Sequence, residues 1–305
     1  MIILKHKAFK KWFFSFPLFR RTLSLIPDSL YIPMMYFLQT GNILSLKNPR
    51  TYCDKLQWLK LYGDYEKLTD YADKIAAKMI AQEMIGEAHV IPTLGIWDRY
   101  EDIDFDSLPD RFVLKCTHDS GGNHVCHDKN KISHKELARF FENRLSVNYY
   151  WYLRERQYKN IVPRIIAEPL MSNDGDLVDY KFFCFNGLVE ILMVVHVVNG
   201  KRFSSYFDGQ LRPIDISMGN PSYPAETILP VNIQEMRRMA QVLSANLRHV
   251  RIDMYNIDGT IYFGEFTFHH WSGMVDVQPT AFSLRLGERI DCSWKRDNYG
   301  PSAKM

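Results

Sequence analysis

The chain has 305 residues, 46% of them hydrophobic and 24% charged, and a net charge of +3. That is the balance of an ordinary soluble protein with room for one to three domains, and so small a charge argues against nucleic acid as a partner. The five cysteines (Cys53, Cys116, Cys126, Cys184, Cys292) are odd in number and scattered, which favours free thiols in a reducing cytoplasm, and no apolar run is long enough to span a bilayer.

Residues 1–21, MIILKHKAFKKWFFSFPLFRR, set an aromatic run between basic clusters. Arg20-Arg21 follows the run where a signal peptide would carry small residues at a cleavage site. Aromatics between basic residues suit weak peripheral contact with the inner face of a membrane. A helix packed on the main body is the reading expected over it. Residues 26–62 read as short helices punctuated by Pro and Gly, with Thr51 and Asp54 as a near capping box. Lys55, Gln57 and Lys60 read as surface residues.

The clearest helical spacing runs over 68–85, with Leu68, Tyr71, Ala72, Ile75, Ala76, Met79 and Ile80 as its apolar stripe and Gly86 at its end. Lys74 and Lys78 lie off that stripe, one turn apart, and by themselves read as a solvated face. Ile91–Trp97 predicts a strand. Asp102, Asp104 and Asp106 then form a D-x-D run of the kind that can hold a metal–nucleotide sugar, a short motif common by chance.

Arg111–His127 reads as strand, Gly-rich loop, strand. Lys115 sits inside an apolar strand and needs an anionic partner. Ser120, Gly121 and Gly122 can bring backbone N–H groups against phosphate. Zinc held by Cys116, His118, His124, Cys126 and His127 is the competing reading. The parity of those positions points them to several sides of the hairpin, and no C-x-x-C pair is present.

Ser133 and Glu136 predict a capping box at the head of a helix over 133–147. Tyr149, Tyr150, Trp151 and Tyr152 follow as core or groove lining. Residues 161–215 are dense in strands, with turns at Asp174-Gly175, Asn186-Gly187, Asn199-Gly200 and Asp208-Gly209, so an antiparallel meander is expected. Lys181 is a second lysine inside a strand. Asn232 and Glu235 read as the cap pair of a helix over 232–247. The tail from 271 reads as helix and loop.

Between helix and tail lies HVRIDMYNIDGTIYFGEFTFHH (249–270), two strands around Asp258-Gly259. A two-residue turn would pair Asp253 with Gly264 and put Glu265 on the opposite face. A three-residue loop, Asp258 to Thr260, would pair Asp253 with Glu265 and Arg251 with Thr267. The three-residue loop is the expectation, because only then do the four polar groups converge. Two carboxylates beside an arginine suit a hard cation carrying phosphate oxygens. A solvated face of an edge hairpin is the plain alternative.

Taken in order, KLQWLKLYGDY (55–65), FDSLPDRFVLKCTHDSGG (105–122), PRIIAEPL (163–170), DYKFFCFNG (179–187) and RIDMYNIDGTIYFGEFTF (251–268) resemble the TupA-like ATP-grasp family of bacterial surface-polysaccharide loci. The resemblance implies an α+β ATP-grasp fold, two α+β subdomains clasping ATP. They would cover residues 66–167 and 168–305, behind a reduced helical region at 1–65. It implies that Lys74 and Lys115 grip ATP phosphates, that Ser120, Gly121 and Gly122 form the phosphate lid, and that Glu168 is the hinge acid near adenine and ribose. Asp253 and Glu265 would be the Mg²⁺ carboxylates and Arg251 the phosphate-side arginine. Lys181 would face the phosphates or the acyl group. Most ATP-grasp enzymes place Asn two residues after the metal Glu, where Thr267 stands here, which puts Thr267 in doubt as a metal ligand.

The activity so implied is an ATP- and Mg²⁺-dependent carboxylate–amine ligase acting through an acyl phosphate. Its carboxylate and amine substrates would be small molecules or glycans, a sugar acid or amino acid of a surface polysaccharide such as a capsule or teichuronopeptide. The runner-up is a glycosyltransferase with a metal at Asp102/Asp104 or Asp174/Asp176.

Overall fold

The computed structural model describes residues 6–171 and 177–292. The Asp174-Gly175 turn and the Asp174/Asp176 pair lie outside the described residues, as do residues 1–5 and 293–305.

The chain opens with three helices, α1 (His6–Ser15), α2 (Pro17–Ser24) and α3 (Asp28–Thr40). Pro17 starts α2 at little cost, because a first-turn N–H has no intrahelical partner. α1 buries Phe9, Phe13 and Phe14 against Tyr149 and Tyr152, so one face of the basic–aromatic segment is packed on the body. α4 (Tyr52–Tyr62) begins with the expected capping box, Thr51 and Asp54 bonding each other's backbone N–H. Two of its polar residues are not on the surface: Gln57 and Lys60 are fully buried. Gln57 donates to the Ser272 and Gly273 carbonyls, and Lys60 to the carbonyl and hydroxyl of Ser272. Trp271, Ser272 and Gly273 are all left-handed, a turn that leaves the Ser272 and Gly273 carbonyls for the helix to satisfy.

The helix expected over 68–85 is two helices. α5 (Thr69–Ala72) stops at Asp73, whose backbone is extended and whose carboxylate caps α6 (Lys74–Ile85) through the Ile75 N–H at 2.8 Å. The break resets the phase of the apolar stripe. Ala77 and Ala81 are buried and Met79 is exposed, the reverse of the sequence pattern, and Lys78 turns inward.

The smaller sheet contains β1 (Gly95–Trp97), β2 (Phe112–Cys116), β3 (Asn123–Cys126) and β4 (Ile165–Pro169) in the order β1-β4-β2-β3, all antiparallel. α7 (His134–Leu145) covers it, with Leu137 and Phe141 joining Phe112, Leu114 and Ile165 in a separate small core. Ser133 makes no side-chain cap; its ψ is 87°, against 160° at Thr51, which does cap its helix. α8 (Tyr150–Leu153) puts Tyr150 and Tyr152 in the interior, as expected.

The larger sheet has the order β10-β9-β5-β6-β7. β5 (Asp179–Phe185), β6 (Leu188–Val198) and β7 (Lys201–Asp208) form the expected meander. Asn186-Gly187 and Asn199-Gly200 both take the positive φ values that tight hairpin turns require. A short strand β8 (Ser217–Met218) leaves the sheet, and α9 (Ile233–Ser244) packs Met236, Met239, Ala240 and Leu243 onto it. Asn232 does not cap α9: its side chain donates to the Gly259 carbonyl and accepts from Asn256, tying the helix to the next hairpin. That hairpin is β9 (His249–Ile257) and β10 (Thr260–Thr267). β11 (Val277–Gln278) then pairs with β8, and α10 (Thr280–Glu288) packs on α4.

Candidate active site

The four polar residues of the hairpin do converge, by a different device from the one expected. The turn has two residues, Asp258 (φ 51°) and Gly259 (φ 83°), with Thr260 opposite Ile257. Left alone, that register would pair Asp253 with Gly264. A bulge between Phe263 and Glu265 absorbs Gly264 instead, so Glu265 faces Asp253 and Thr267 faces Arg251. The expectation of a three-residue loop is thus corrected, while the pairing it predicted stands. On the other side of β9, Lys181 is the register partner of Asp253. Lys181, Asp253 and Glu265 form one row across three strands.

Asp253 is buried and held by two cations. Arg251 grips it with two nitrogens at 2.6 and 2.7 Å, and Lys181 donates to Oδ2 at 2.5 Å. Burial opposes ionisation, but Arg251 and Lys181 outweigh it and hold the carboxyl down to about 2. Glu265 differs: its side chain is 50% exposed, and Oε1 accepts from Thr267 at 2.8 Å and from Arg251 at 3.2 Å. The Thr267 hydroxyl also accepts from Arg251 at 3.0 Å, so here it links the other two side chains. His270, which sequence reading missed, backs the cluster. Burial and Arg251 keep it neutral, and its Nδ1 accepts from Arg251 at 2.6 Å.

A second cluster forms where α6 meets the small sheet. Glu168 on β4 is buried and accepts from Lys115 of β2 at 2.5 Å and from Lys78 of α6 at 2.8 Å. Burial raises the Glu168 carboxyl, and the two lysines more than reverse it. Lys115 therefore has the anion its strand position demanded. Lys78 was read as solvated; the break at Asp73 turned it in.

Lys74 reaches the Gly-rich loop, donating to the Asp119 carbonyl at 2.5 Å. Two more cations hold the next carbonyls: Lys10 of α1 bonds Ser120 at 2.5 Å, and Arg144 of α7 bonds Gly121 at 2.7 Å. Asp119 ties the loop from within, accepting from the Gly122 N–H and from Arg144. A Cβ at Gly122 would sit 2.3 Å from the Asp119 carboxylate, so a side chain there would have to push that carboxylate off its bonds to Arg144 and the Gly122 N–H. In a trans peptide the N–H points opposite the carbonyl. The Ser120 and Gly121 N–H groups therefore point away from the carbonyls that Lys74 and Lys10 hold.

Tyr158 and Tyr255 connect the clusters. Burial first, then surrounding carboxylates, push both phenols well above their ordinary value. Tyr158 senses Asp119 of the loop together with Glu265 of the hairpin, and Tyr255 senses Asp179, Glu265, Asp253 and Glu168. α6, which carries Lys74 and Lys78, packs on β10, which carries Glu265, so the two clusters sit on neighbouring elements.

The other candidates do not assemble. Among the described residues no three His, Cys, Asp or Glu side chains form a metal-binding group, which removes the zinc reading of 116–127. Asp102 is exposed and paired with Arg99, and Asp104 accepts the Asp106 N–H in a surface turn. A groove of about 940 Å³ between β3 and α7, lined by His124, His127 and Phe140 among others, includes none of the site residues above.

The donor set fits Mg²⁺. That ion takes one or two carboxylates and completes its shell with water and phosphate oxygens, so it needs no protein-only cage. Asp253 and Glu265 would be its ligands, the first kept ionised by neighbouring cations and the second open to solvent.

Two sheets joined over a lysine-gripped Gly-rich loop and a carboxylate hairpin define an ATP-grasp protein, and comparison with known families agrees. The chain matches the family described as TupA-like ATPgrasp over residues 54–291 and belongs to it. No curated protein matches the chain. Among solved structures, a D-alanine–D-alanine ligase from Helicobacter pylori is similar at 12% identity and TM-score 0.40, over 72% of this chain and 61% of that one. The Bacillus anthracis D-alanine–D-alanine ligase complexed with ATP is similar at 14% identity and TM-score 0.41, over 72% and 66%. The ATP-grasp ligase PsnB, complexed with a phosphomimetic minimal precursor, Mg and ADP, gives 11%, 0.41, and 78% and 66%. The chain thus spans about two thirds or less of the length of these ligases.

Proposed function

We propose that the protein is an ATP- and Mg²⁺-dependent carboxylate–amine ligase that forms an amide on a sugar acid or amino acid of a bacterial surface polysaccharide. The observation that carries the ligase reading is the row Lys181–Asp253–Glu265 with Arg251 beside it, on a hairpin whose strand β10 packs against the helix that carries Lys74. The polysaccharide substrate rests on family resemblance alone.

In this reading a substrate carboxylate oxygen attacks the γ-phosphorus, the bond to the β-phosphate oxygen breaks, and ADP leaves. An amine then attacks the acyl carbon, inorganic phosphate departs, and the amine loses a proton. Mg²⁺, when bound, supplies positive charge to the phosphate oxygens. The chain's own part is positioning and charge. Lys115 and Lys74 meet phosphate from the small-sheet side, and Arg251 and Lys181 neutralise charge from the hairpin side. Glu168, ionised between Lys78 and Lys115, offers an acceptor for ribose hydroxyls. Nothing in the exposed Asp102–Asp106 turn favours the glycosyltransferase.

The test is a thermal-shift screen with Mg²⁺ and ATP, ADP, UDP-glucose or UDP-glucuronate, since a ligand of the folded state raises Tm. Stabilisation by ATP that needs Mg²⁺ and vanishes in Lys115→Ala is expected. Hydroxylamine should then trap the acyl phosphate as a hydroxamate once the right carboxylate is supplied. Stabilisation by UDP-sugars alone would overturn the reading.

A further inference from the structure

Nine of the twenty large apolar side chains exposed among the described residues fall between residues 12 and 43, in the three N-terminal helices and the turn after them. The family match begins only at residue 54. On α1, Trp12 is 54% exposed and stacks edge-on with Phe16, also exposed. Leu18 and Leu25, seven residues apart, share a face of α2 with Arg21. On α3, Leu30, Met34, Phe37 and Leu38 follow the i, i+4, i+7, i+8 pattern and are all exposed, although the opposite face already buries Tyr31, Ile32, Met35 and Tyr36. A helix apolar on both faces has a second partner to meet.

Charge says what kind. Residues 1–53 contain eight Lys and Arg against the single acid Asp28, a net +7, so the remainder of the chain carries −4. Asp28 is itself neutralised by Arg154 at 2.9 Å. Lys11 and Arg21 are exposed beside the aromatic and leucine side chains. The core of a protein–protein interface excludes charge. Indole, phenyl and leucyl groups interleaved with lysine and arginine are instead what an anionic bilayer surface takes: the rings enter the headgroup boundary and the cations meet lipid phosphates. Among the described residues no helix is long and apolar enough to cross a membrane, which leaves contact along the surface.

We propose that α1, α2 and α3 form a docking surface for an anionic lipid bilayer. This stands independently of the ligase reading. The full chain should co-sediment with phosphatidylcholine vesicles containing phosphatidylglycerol, should not do so with phosphatidylcholine alone, and should be released by raised salt. Trp12→Ser/Phe16→Ser should lower partitioning about tenfold or more. Lys11→Glu/Arg21→Glu should do the same, and Leu30→Ser/Phe37→Ser should test α3 separately. All six positions are exposed, and thermal melts check that each variant is folded. Absence of binding to the anionic vesicles overturns the proposal, as does binding that all three folded variants retain. A dimer in solution that Trp12→Ser/Phe16→Ser dissociates, with no vesicle binding, would assign the surface to a second copy instead.

Discussion

Asp253 and Glu265 face each other across the hairpin because Gly264 stands out of the ladder between them. Gly264 also lies where a Cβ would meet the Asp253 carbonyl at 3.0 Å and the Tyr255 ring at 3.2 Å. Gly264→Val should therefore push the hairpin against Tyr255, at a cost of about 1–3 kcal/mol of stability. It should also weaken Mg²⁺-dependent ATP binding. Urea unfolding and calorimetry read the two effects. Unchanged stability would mean the bulge has more room than the structure gives it.

The two carboxylates should separate binding from stability. Glu265 is half exposed, so Glu265→Gln should leave the unfolding free energy within about 0.5 kcal/mol of wild type. It should still abolish the Mg²⁺-dependent part of ATP affinity. Asp253→Asn removes the carboxylate that the two buried cations share, leaving Arg251 only the Glu265 carboxylate at 3.2 Å and Lys181 only that of Asp179 at 3.4 Å, and should cost about 3 kcal/mol or more. Equal stability losses in the two variants would show that burial does not distinguish them.

These residues were legible in the sequence because strands alternate with a period of two, so polar residues at 251, 253, 265 and 267 had to share a face or be split by register. Which of the two held depended on a bulge at Gly264, and a glycine inside a strand signals that only weakly. The lysines were harder. Lys115 was visible as a charge within an apolar strand, but Lys78 sat on the wrong side of a continuous 68–85 helix. Nothing in the spacing announces the break at Asp73, a residue equally at home on a helix surface or at its N-cap. Gln57 and Lys60 read as exposed because their partner, the left-handed Trp271–Gly273 turn, is more than 200 residues away and made by residues other than glycine at two of three positions. The antiparallel meander was legible from turn chemistry, and the α+β ATP-grasp fold from the order of the motifs. The caps at Ser133 and Asn232 were not: the next hairpin claims the Asn232 side chain, and Ser133 makes no cap bond.

Lys78 supplies a test of the missed residue. Lys78→Met removes one of the two cations on buried Glu168 and should raise the Glu168 carboxyl toward its ordinary range. Lys115 remains, so the fold should survive with a loss of about 1–3 kcal/mol. The KM for ATP should rise several-fold with a smaller change in kcat, because Glu168 is assigned to holding nucleotide. An unchanged KM would place Lys78 outside the nucleotide site.

Acid should expose the buried carboxylates. Asp253 and Glu155 are both held down to about 2, Glu155 against burial by His269, Lys60 and Ser272. Their folded values lie below the unfolded ones. The stabilisation is thus complete above the ordinary carboxylate range and is lost as pH falls toward about 2. Urea midpoints should begin to fall below about pH 7, where the buried His249, His269 and His270 resist the protonation that unfolding allows, and should fall further through the carboxylate range. In Asp253→Asn part of that drop should disappear, since one of the two groups no longer titrates.

Lys10 should titrate within reach of ordinary assays, and in a direction that separates binding from folding. It enters from α1, outside the family match, and bonds the Ser120 carbonyl of the phosphate loop. Burial lowers its pKa from 10.5 to about 8; Asp119 and Glu155 oppose that shift, and Arg144 and Lys74 add to it. As pH rises through about 8 the loop loses this cation, and MgATP affinity should fall several-fold. Stability should move the other way. A lysine depressed by folding burdens the fold below its folded pKa, and the burden fades between about 8 and 10.5. Lys60, also lowered by burial to about 8, adds to the same trend. Lys10→Arg, whose guanidinium stays charged, should remove the affinity slope, and Lys10→Met should bind weakly at every pH. Calorimetric titrations from pH 7 to 9.5 on the three proteins, with urea midpoints alongside, decide it. A wild-type affinity that stays level while the midpoint climbs would make Lys10 a structural strap that never meets the nucleotide's charge.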